Sequence, residues 1–317
     1  MKKLGETTLK LSPLGIGCAN FSSLTRSVNE DKITDVVHSA LDLGINYFDT
    51  ADSYGQGGSE TLLGKALVNK RHDAIIFTKF GYRFAGISAA EQSVNTLLLF
   101  EKLKPALRSV VYKSPLAVKY LRKVRKTILT QCFDANYAIT SVERSLRRLG
   151  TDYIDCILLH NPPEEFLISE ELVDCLNLLK RQGKIRYWGL STESLQEVYN
   201  YKPDVIQFPA NYVDAEKLDH LAVKAKNAGI GLISRQIFQD SFTMASSFSL
   251  GLQQALGVSS YELAVYLNLY SNTSDTMLVG STNPANVKAC SDYLKNYEKN
   301  KDIICAAISE QKSGHES

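Results

Sequence analysis

The chain has 317 residues, 44% of them hydrophobic, and a formal net charge of +2. That length and apolar content suffice for a large core, and the near-balanced charge gives no global sign of nucleic-acid binding. No window approaches the ~18 apolar residues of a membrane-spanning helix, and the start MKKLGETTLKLSPLG lacks the continuous apolar stretch of a signal peptide.

From the N-terminus, Lys3–Lys10 with Gly5 at its centre reads as a small hairpin, expected to cover the mouth of the structure that follows. Strand-like and helix-like runs then alternate. Leu14–Gly17 reads as a strand, Asp31–Leu43 as an amphipathic helix, Ile45–Asp49 as a strand, Ser59–Val68 as a helix and Ala74–Lys79 as a strand. After a long interval come helix Ala135–Leu149, strand Tyr153–His160, helix Ser169–Gln182, strand Tyr187–Ser191 and helix Ser194–Tyr199. The series ends with strand Val205–Phe208, helix Ala215–Ala228, strand Gly231–Arg235, helix Ser260–Tyr270, strand Thr276–Gly280 and helix Pro284–Tyr297. LDLGI, KRQGKI and KNAGIGL put glycine just past the helical ends, where C-caps need it. Eight such repeats predict an α/β protein built as a closed (β/α)8 TIM barrel, one domain over residues 1–317. An open doubly wound sheet is the alternative, but no strand is followed by GxGxxG.

The interval between the third and fourth strands is longer than one helix needs, so residues 81–130 read as a helical insertion. Within 83–128 ten Lys and Arg face only Glu91 and Glu101, a local charge of +8. This insertion reads either as a solvated helical excursion or as an active-site lid, and as a lid its charge would favour an anionic substrate or an acidic partner. The six cysteines (Cys18, Cys132, Cys156, Cys175, Cys290, Cys305) form no CxxC pair, which predicts free thiols in a reducing, cytoplasmic compartment and no metal site.

Three neighbouring strands stop at titratable side chains: Asp49 in INYFDTADSYG, Lys79 in AIIFTK and His160 in YIDCILLHNPP. Tyr54 lies five residues beyond Asp49. If the strands are parallel neighbours, the four side chains meet at the C-terminal rim, where barrel active sites are built. A phenol is a reluctant acid, with an unperturbed pKa of about 10, and a neighbouring ammonium stabilises its anion. Lys79 can supply that ammonium, Asp49 can pin it, and His160 can hydrogen-bond a carbonyl oxygen that gains negative charge.

The blocks FDTADSYGQGGSETLLGKAL, IIFTKFG, SVERSLRRLGTDYIDCILLHNPP, LKRQGKIRYWGLST and TMLVGSTNPANVKA, in this order, resemble the aldo-keto reductase family over nearly the whole chain. The resemblance implies a barrel that binds a nicotinamide cofactor without a Rossmann fingerprint, with Asp49, Tyr54, Lys79 and His160 as catalytic tetrad. Tyr54 would be the general acid in reduction and the base in oxidation. Ser191 and Gln207 match positions that hold the nicotinamide amide, and Arg235 matches one that stacks on its ring. Gly280, Ser281 and Thr282 match the phosphate-contacting turn, with Asn286 where the family pattern has an arginine. The positions where the family has the glutamate and asparagine that hold adenine are Ala289 and Cys290 here, Thr192 replaces the usual asparagine after Ser191, and Lys288 is a nearby cation that would compensate for the missing arginine. The expected activity is reduction of an aldehyde or ketone, a sugar or other polar carbonyl compound, with NADPH as first choice of cofactor and NADH as the alternative. An NAD-linked sugar dehydrogenase is the oxidative alternative. A cofactor-sensing subunit, as in the potassium-channel β-subunits of the same fold, is the non-enzymatic one. The expected partners are a small-molecule carbonyl compound and at most a second copy of the chain in a weak homo-oligomer. The single Trp188, in the strand that ends at Ser191, is expected to report cofactor binding by its emission.

Overall fold

Successive side chains of a strand point to opposite faces, so one inward residue fixes the facing of every second neighbour. This parity organises the whole molecule. The computed structural model describes residues 1–22, 29–84, 129–163, 165–193, 202–209, 215–238 and 247–313. Its strands are β1 (Lys2–Lys3), β2 (Lys10–Leu11), β3 (Leu14–Gly17), β4 (Tyr47–Asp49), β5 (Ile75–Phe80), β6 (Tyr82–Phe84), β7 (Leu129–Gln131), β8 (Ile154–His160), β9 (Ile185–Ser191), β10 (Val205–Pro209), β11 (Gly231–Arg235) and β12 (Thr276–Gly280). Eight of them form a closed barrel in the order β3-β4-β5-β8-β9-β10-β11-β12. All neighbours are parallel, and β12 returns to β3 with Met277 opposite Leu14 and Gly280 opposite Gly17.

The described helices are α1 (Glu30–Asp42), α2 (Gly58–Ala66), α3 (Ala135–Leu149), α4 (Glu170–Arg181), α5 (Ala215–Asn227), α6 (Ser247–Leu256), α7 (Ser260–Ser271), α8 (Pro284–Lys299) and α9 (Lys301–Ser313). Their starts are set by local chemistry. Asp134 accepts from the Tyr137 amide at 2.7 Å ahead of α3, and Ser169 accepts from the Leu172 amide at 3.2 Å ahead of α4.

The inner core holds Leu4, Leu9, Leu11, Tyr47, Phe77, Cys156, Leu158, Val205, Ile233 and Leu278. The outer core, between barrel and helices, takes the intervening residues Phe48, Ile76, Ile157, Leu159, Ile206 and Leu232. On four barrel strands a polar side chain lies two residues past the last inner residue, on the same face at the C-terminal rim: Tyr47 precedes Asp49, Phe77 precedes Lys79, Leu158 precedes His160 and Val205 precedes Gln207. The N-terminal hairpin, β1 paired with β2, closes the opposite end with Leu4, Leu9 and Leu11, as expected. Its Gly5 is required by close approach, because a Cβ there would sit 2.3 Å from the Gly231 amide nitrogen.

Most described elements fall where the sequence places them, with differences at β5, at α6 and α9, and at the ends of the expected helical insertion, which are the strands β6 and β7. β5 continues one residue beyond Lys79 to Phe80, so Lys79 is the penultimate residue of its strand rather than the last. Helices α6 and α9 were not expected. Leu252 of α6 and Ile304 and Ile308 of α9 pack with Tyr266 and Tyr297 into a separate cluster outside the repeats. The expected helix Ser194–Tyr199 lies outside the described residues. So does nearly all of the expected insertion and lid. Its two ends are described, and β6 and β7 pair antiparallel with Tyr82 opposite Gln131. No helix among the described residues is long and apolar enough to cross a membrane.

Candidate active site

Strand parity and barrel closure bring Asp49, Lys79 and His160 to one end of the barrel, and the segment after β4 adds Tyr54. Tyr54 opens a single 3-10 turn, Tyr54–Gly57. Gly57 ends it at φ +89, and a Cβ there would meet Arg148 Cδ at 2.5 Å, so the YGQGG sequence is what permits this reversal.

Lys79 Nζ is the centre of the arrangement. It donates to Asp49 Oδ2 at 2.5 Å, to the Thr50 carbonyl at 2.9 Å and to Tyr54 Oη at 3.4 Å. The Lys79 and Asp49 side chains are 1% and 5% exposed. Burial pulls the lysine pKa down, but the Asp49 carboxylate and then the Tyr54 hydroxyl raise it, and the net shift is upward. The ammonium therefore stays charged. Asp49 accepts two further hydrogen bonds on Oδ1, from Gln207 Nε2 at 2.7 Å and from Tyr47 Oη at 3.4 Å. Burial, then the Asp49 charge, holds the Tyr47 hydroxyl well above its ordinary pKa, so it remains a donor.

His160 stands edge-on to Tyr54, with ring centroids 5.6 Å apart, and edge-on to Tyr82 at 4.9 Å. Its Nδ1 is 3.3 Å from Ser53 Oγ. Tyr82 was not foreseen as a site residue. It follows an inward strand by two positions in GYRF, and the signal was only its aromatic character at the rim.

A cleft of about 390 Å³ opens over these groups, lined by Asp49, Tyr54, His160, Ser191, Gln207, Arg235 and Gly280 among others. Lys79 lies beneath it. Gly17 and Gly280 leave its floor open, since a Cβ on either would meet nothing closer than 3.7 Å. Ser191 donates to Gln207 Oε1 at 2.8 Å, so the two expected amide-binding residues are linked to each other and, through Gln207, to Asp49. An amide has two N–H groups and two lone pairs, so Gln207 keeps capacity for a ligand.

Arg235 is not a loose stacking group. Its Nη2 donates to Glu193 Oε1 at 2.8 Å, to the Thr192 carbonyl at 3.1 Å and to Asn161 Oδ1 at 3.4 Å. Asn161 also lines the cleft and donates to Glu193 at 2.8 Å, so Asn161 and Glu193 are rim residues that the sequence reading missed. Arg235 Nε is buried without a partner. A flat, amide-bearing group suits these open glycines and spare donors.

Ser281, Thr282 and Asn286 lie beyond Gly280 at the start of α8, outside the cleft itself. Asn283 caps this helix by accepting from the Ala285 amide at 3.0 Å, and Pro284 follows at its first turn. The helix start and the two hydroxyls suit a phosphate. Asn286 is exposed, Lys288 is paired with Asp292 at 2.6 Å, and Cys290 is 7% exposed within the outer core. Cys290 therefore cannot face a purine. Trp188 is also part of the outer core, on the opposite strand face from Ser191.

The aldo/keto reductase family model matches residues 13–248. The chain belongs to the aldo/keto reductase family. Among curated relatives, it is 30% identical over 247 residues to an L-galactose dehydrogenase of Arabidopsis thaliana, a match that covers 74% of this chain and 64% of that one. It is 27% identical over 242 residues to an NADH-specific methylglyoxal reductase of Escherichia coli, covering 73% of this chain and 65% of that one. The chain thus spans less than two thirds of the length of these relatives. Among solved structures, the holo form of the aldo-keto reductase AKR11C1 from Bacillus halodurans superposes with a TM-score of 0.72 at 23% identity, over 98% of this chain and 95% of that one. That likeness shows the same (β/α)8 barrel for this family member.

Proposed function

We propose that this aldo/keto reductase is an NAD(P)H-dependent oxidoreductase that reduces an aldehyde or ketone of polar character to the alcohol. The observation that carries this reading is the chain Asp49–Lys79–Tyr54 beside His160 at the mouth of one cleft. When bound, the nicotinamide supplies hydride to the carbonyl carbon. Ser191, Gln207 and Asn161 are the residues that would hold its amide, and Ser281 and Thr282 those that would meet its phosphates. Tyr54 Oη gives its proton to the carbonyl oxygen, and the buried Lys79 ammonium stabilises the phenolate left behind. Asp49 keeps that ammonium in place. His160 hydrogen-bonds the same carbonyl oxygen, favouring the negative charge that builds there. Water reprotonates the phenolate after the alcohol leaves.

A dehydrogenase among the relatives favours a second reading, in which the same groups run in reverse on a sugar hydroxyl. Tyr54 is then the base. Among the described residues, the first turns of α8 offer no unpaired cation in place of the missing arginine, because Lys288 is engaged by Asp292. NADPH, the cofactor the family resemblance ranks first, therefore finds no arginine clamp for its 2′-phosphate on the described first turns of α8, and we propose that NADH serves at least as well. The Escherichia coli relative, an NADH-specific reductase, agrees with that reading. The free thiols of all six cysteines suit a cytoplasmic setting.

Steady-state turnover on a panel of aldehydes, ketones and sugars, with NADH and NADPH in parallel, tests the proposal. Reduction of at least one carbonyl compound supports it. Cofactor binding without turnover in either direction replaces it with the reading of a cofactor-sensing subunit.

A further inference from the structure

The segment that carries Tyr54 has a second side. Tyr54 lines the catalytic cleft, whereas Asp52 and Gln56 line a separate cavity of about 470 Å³. The other wall of that cavity comes from β6 and α3 and includes Tyr82, Arg83, Tyr137, Arg144 and Arg148. Tyr82 is a shared wall, since its ring also meets His160 edge-on at 4.9 Å.

The charges in this cavity are unbalanced. Arg148 donates to the fully buried Glu60 at 2.6 Å and is neutralised by it. Arg83 and Arg144 are exposed, and among the described residues neither is paired with a carboxylate. Two guanidiniums thus face the cavity without a carboxylate in ion-pair contact among the described residues, Asp134 acting on Arg83 only at longer range, with a third guanidinium beside them. Asp52 supplies a different group. Its Oδ1 is buried and has no hydrogen-bond partner. Burial, then the neighbouring Glu60, lifts its pKa to about 8 against the pull of Arg148, so near neutral pH this carboxyl carries a proton. A protonated carboxyl is an O–H donor, and here no protein acceptor meets it.

Planar guanidiniums match the oxygens of phosphate and carboxylate. A divalent cation does not suit a cavity walled by three guanidiniums, and no metal-holding cluster of His, Cys, Asp or Glu exists among the described residues. The segment that follows Arg83 in the sequence is itself strongly basic, the wrong sign to complement these arginines.

We propose that this second cavity is a binding site for a small anion, whose phosphate or carboxylate group is gripped by Arg83, Arg144 and Arg148. Asp52 donates to the same group through its proton. Two sources share this chemistry: an anionic tail of the substrate, reaching past Tyr82, or a free anion that binds independently of turnover. The site is built outside the catalytic set, so it stands whether or not the reductase reading holds.

Inorganic sulfate is the probe, at ionic strength held constant with sodium chloride and with NADH in excess to occupy the cofactor site. Thermal unfolding of the full chain is followed against sulfate for the wild type and for Arg83→Gln/Arg144→Gln. Both arginines are exposed, so the variant should unfold at the wild-type temperature without sulfate. A saturable rise in Tm for the wild type, with apparent affinity weakened at least about tenfold in the variant, is the expected result. No saturable rise, or the same rise in both proteins, overturns the proposal. A second arm separates the sources by comparing 4-carboxybenzaldehyde with benzaldehyde. A KM increase confined to the carboxylate in the variant assigns the site to the substrate's tail. Loss of sulfate binding with both KM values unchanged assigns it to a free anion. Absence of turnover on either aldehyde would count against the reductase reading alone, because the sulfate arm reads binding directly.

Discussion

Lys79 and Asp49 form a 2.5 Å ion pair across two adjacent barrel strands, almost wholly removed from water. The pair sits two residues beyond Phe77 and Tyr47 of the inner core, and its ammonium also touches the Tyr54 hydroxyl at 3.4 Å. Core packing and proton chemistry therefore share one scaffold. A buried pair of this kind is costly to break from one side, because the remaining charge is left without its partner.

Tyr54→Phe should reduce carbonyl turnover by at least ~100-fold, the scale of general acid catalysis, and leave cofactor affinity almost unchanged. NADH or NADPH fluorescence on titration is the binding readout. Wild-type turnover in this variant would remove Tyr54 from the mechanism.

Lys79→Met should lower both activity and stability. The uncompensated Asp49 carboxylate should cost about 3–5 kcal/mol, as for other severed buried pairs. In the reductive direction, which needs the protonated phenol, the loss of surviving activity at high pH should move to higher pH, because the cation that favours the phenolate is gone. Asp49→Asn in the same chain should restore much of the stability and none of the turnover. Denaturant unfolding and pH–rate profiles of the single and double variants check this, and an unchanged stability in Lys79→Met would refute it.

Asn286→Arg should improve NADPH binding about tenfold or more and leave NADH binding unchanged, as a charge-assisted contact to one phosphate would. The wild type should discriminate weakly between the two cofactors, because Lys288 is held by Asp292. Parallel titrations decide it. A strong wild-type preference for NADPH would mean that a cation elsewhere performs the clamping.

Asp52 gives a stability prediction with a definite sign. Its pKa rises from 3.8 to about 8 on folding, through burial first and the Glu60 charge second. Between those values the folded chain keeps a proton that the unfolded chain has released, so this group's contribution to stability falls as pH rises through the window. Asp52→Asn removes the dependence. The Tm of the variant minus that of the wild type should therefore climb steadily from about pH 5 to about pH 8. A flat difference would show that Asp52 ionises normally.

The barrel was legible in the sequence because its determinants are local and periodic. Apolar runs with β-branched residues, helix caps such as Asp134 and Ser169, and eight repeats specify strands, helices and their order before any long-range contact forms. Three of the four candidate residues were legible as polar ends of apolar strands, and Asp49, Lys79 and His160 each lie two positions beyond an inner-core residue; Tyr54 and the grouping of all four came with the family resemblance. Family resemblance added Ser191 and Gln207. Helices α6 and α9 were missed because they pack in a satellite cluster outside the repeat, where no strand marks the boundaries.

The tertiary structure decided what depends on which partners meet. The sequence offered Arg235 and Lys288 as free cations, and only folding ties them to Glu193 and Asp292. Cys290 stands beside the cofactor turn in the sequence, yet the helical period turns it into the core. In DTADSYG, Asp49 ends a strand and Asp52 follows in the loop, but the sequence does not say which partner either carboxyl meets. The barrel places one beside an ammonium and the other in a cavity with no partner for its Oδ1, and in a buried site the local partner sets the charge.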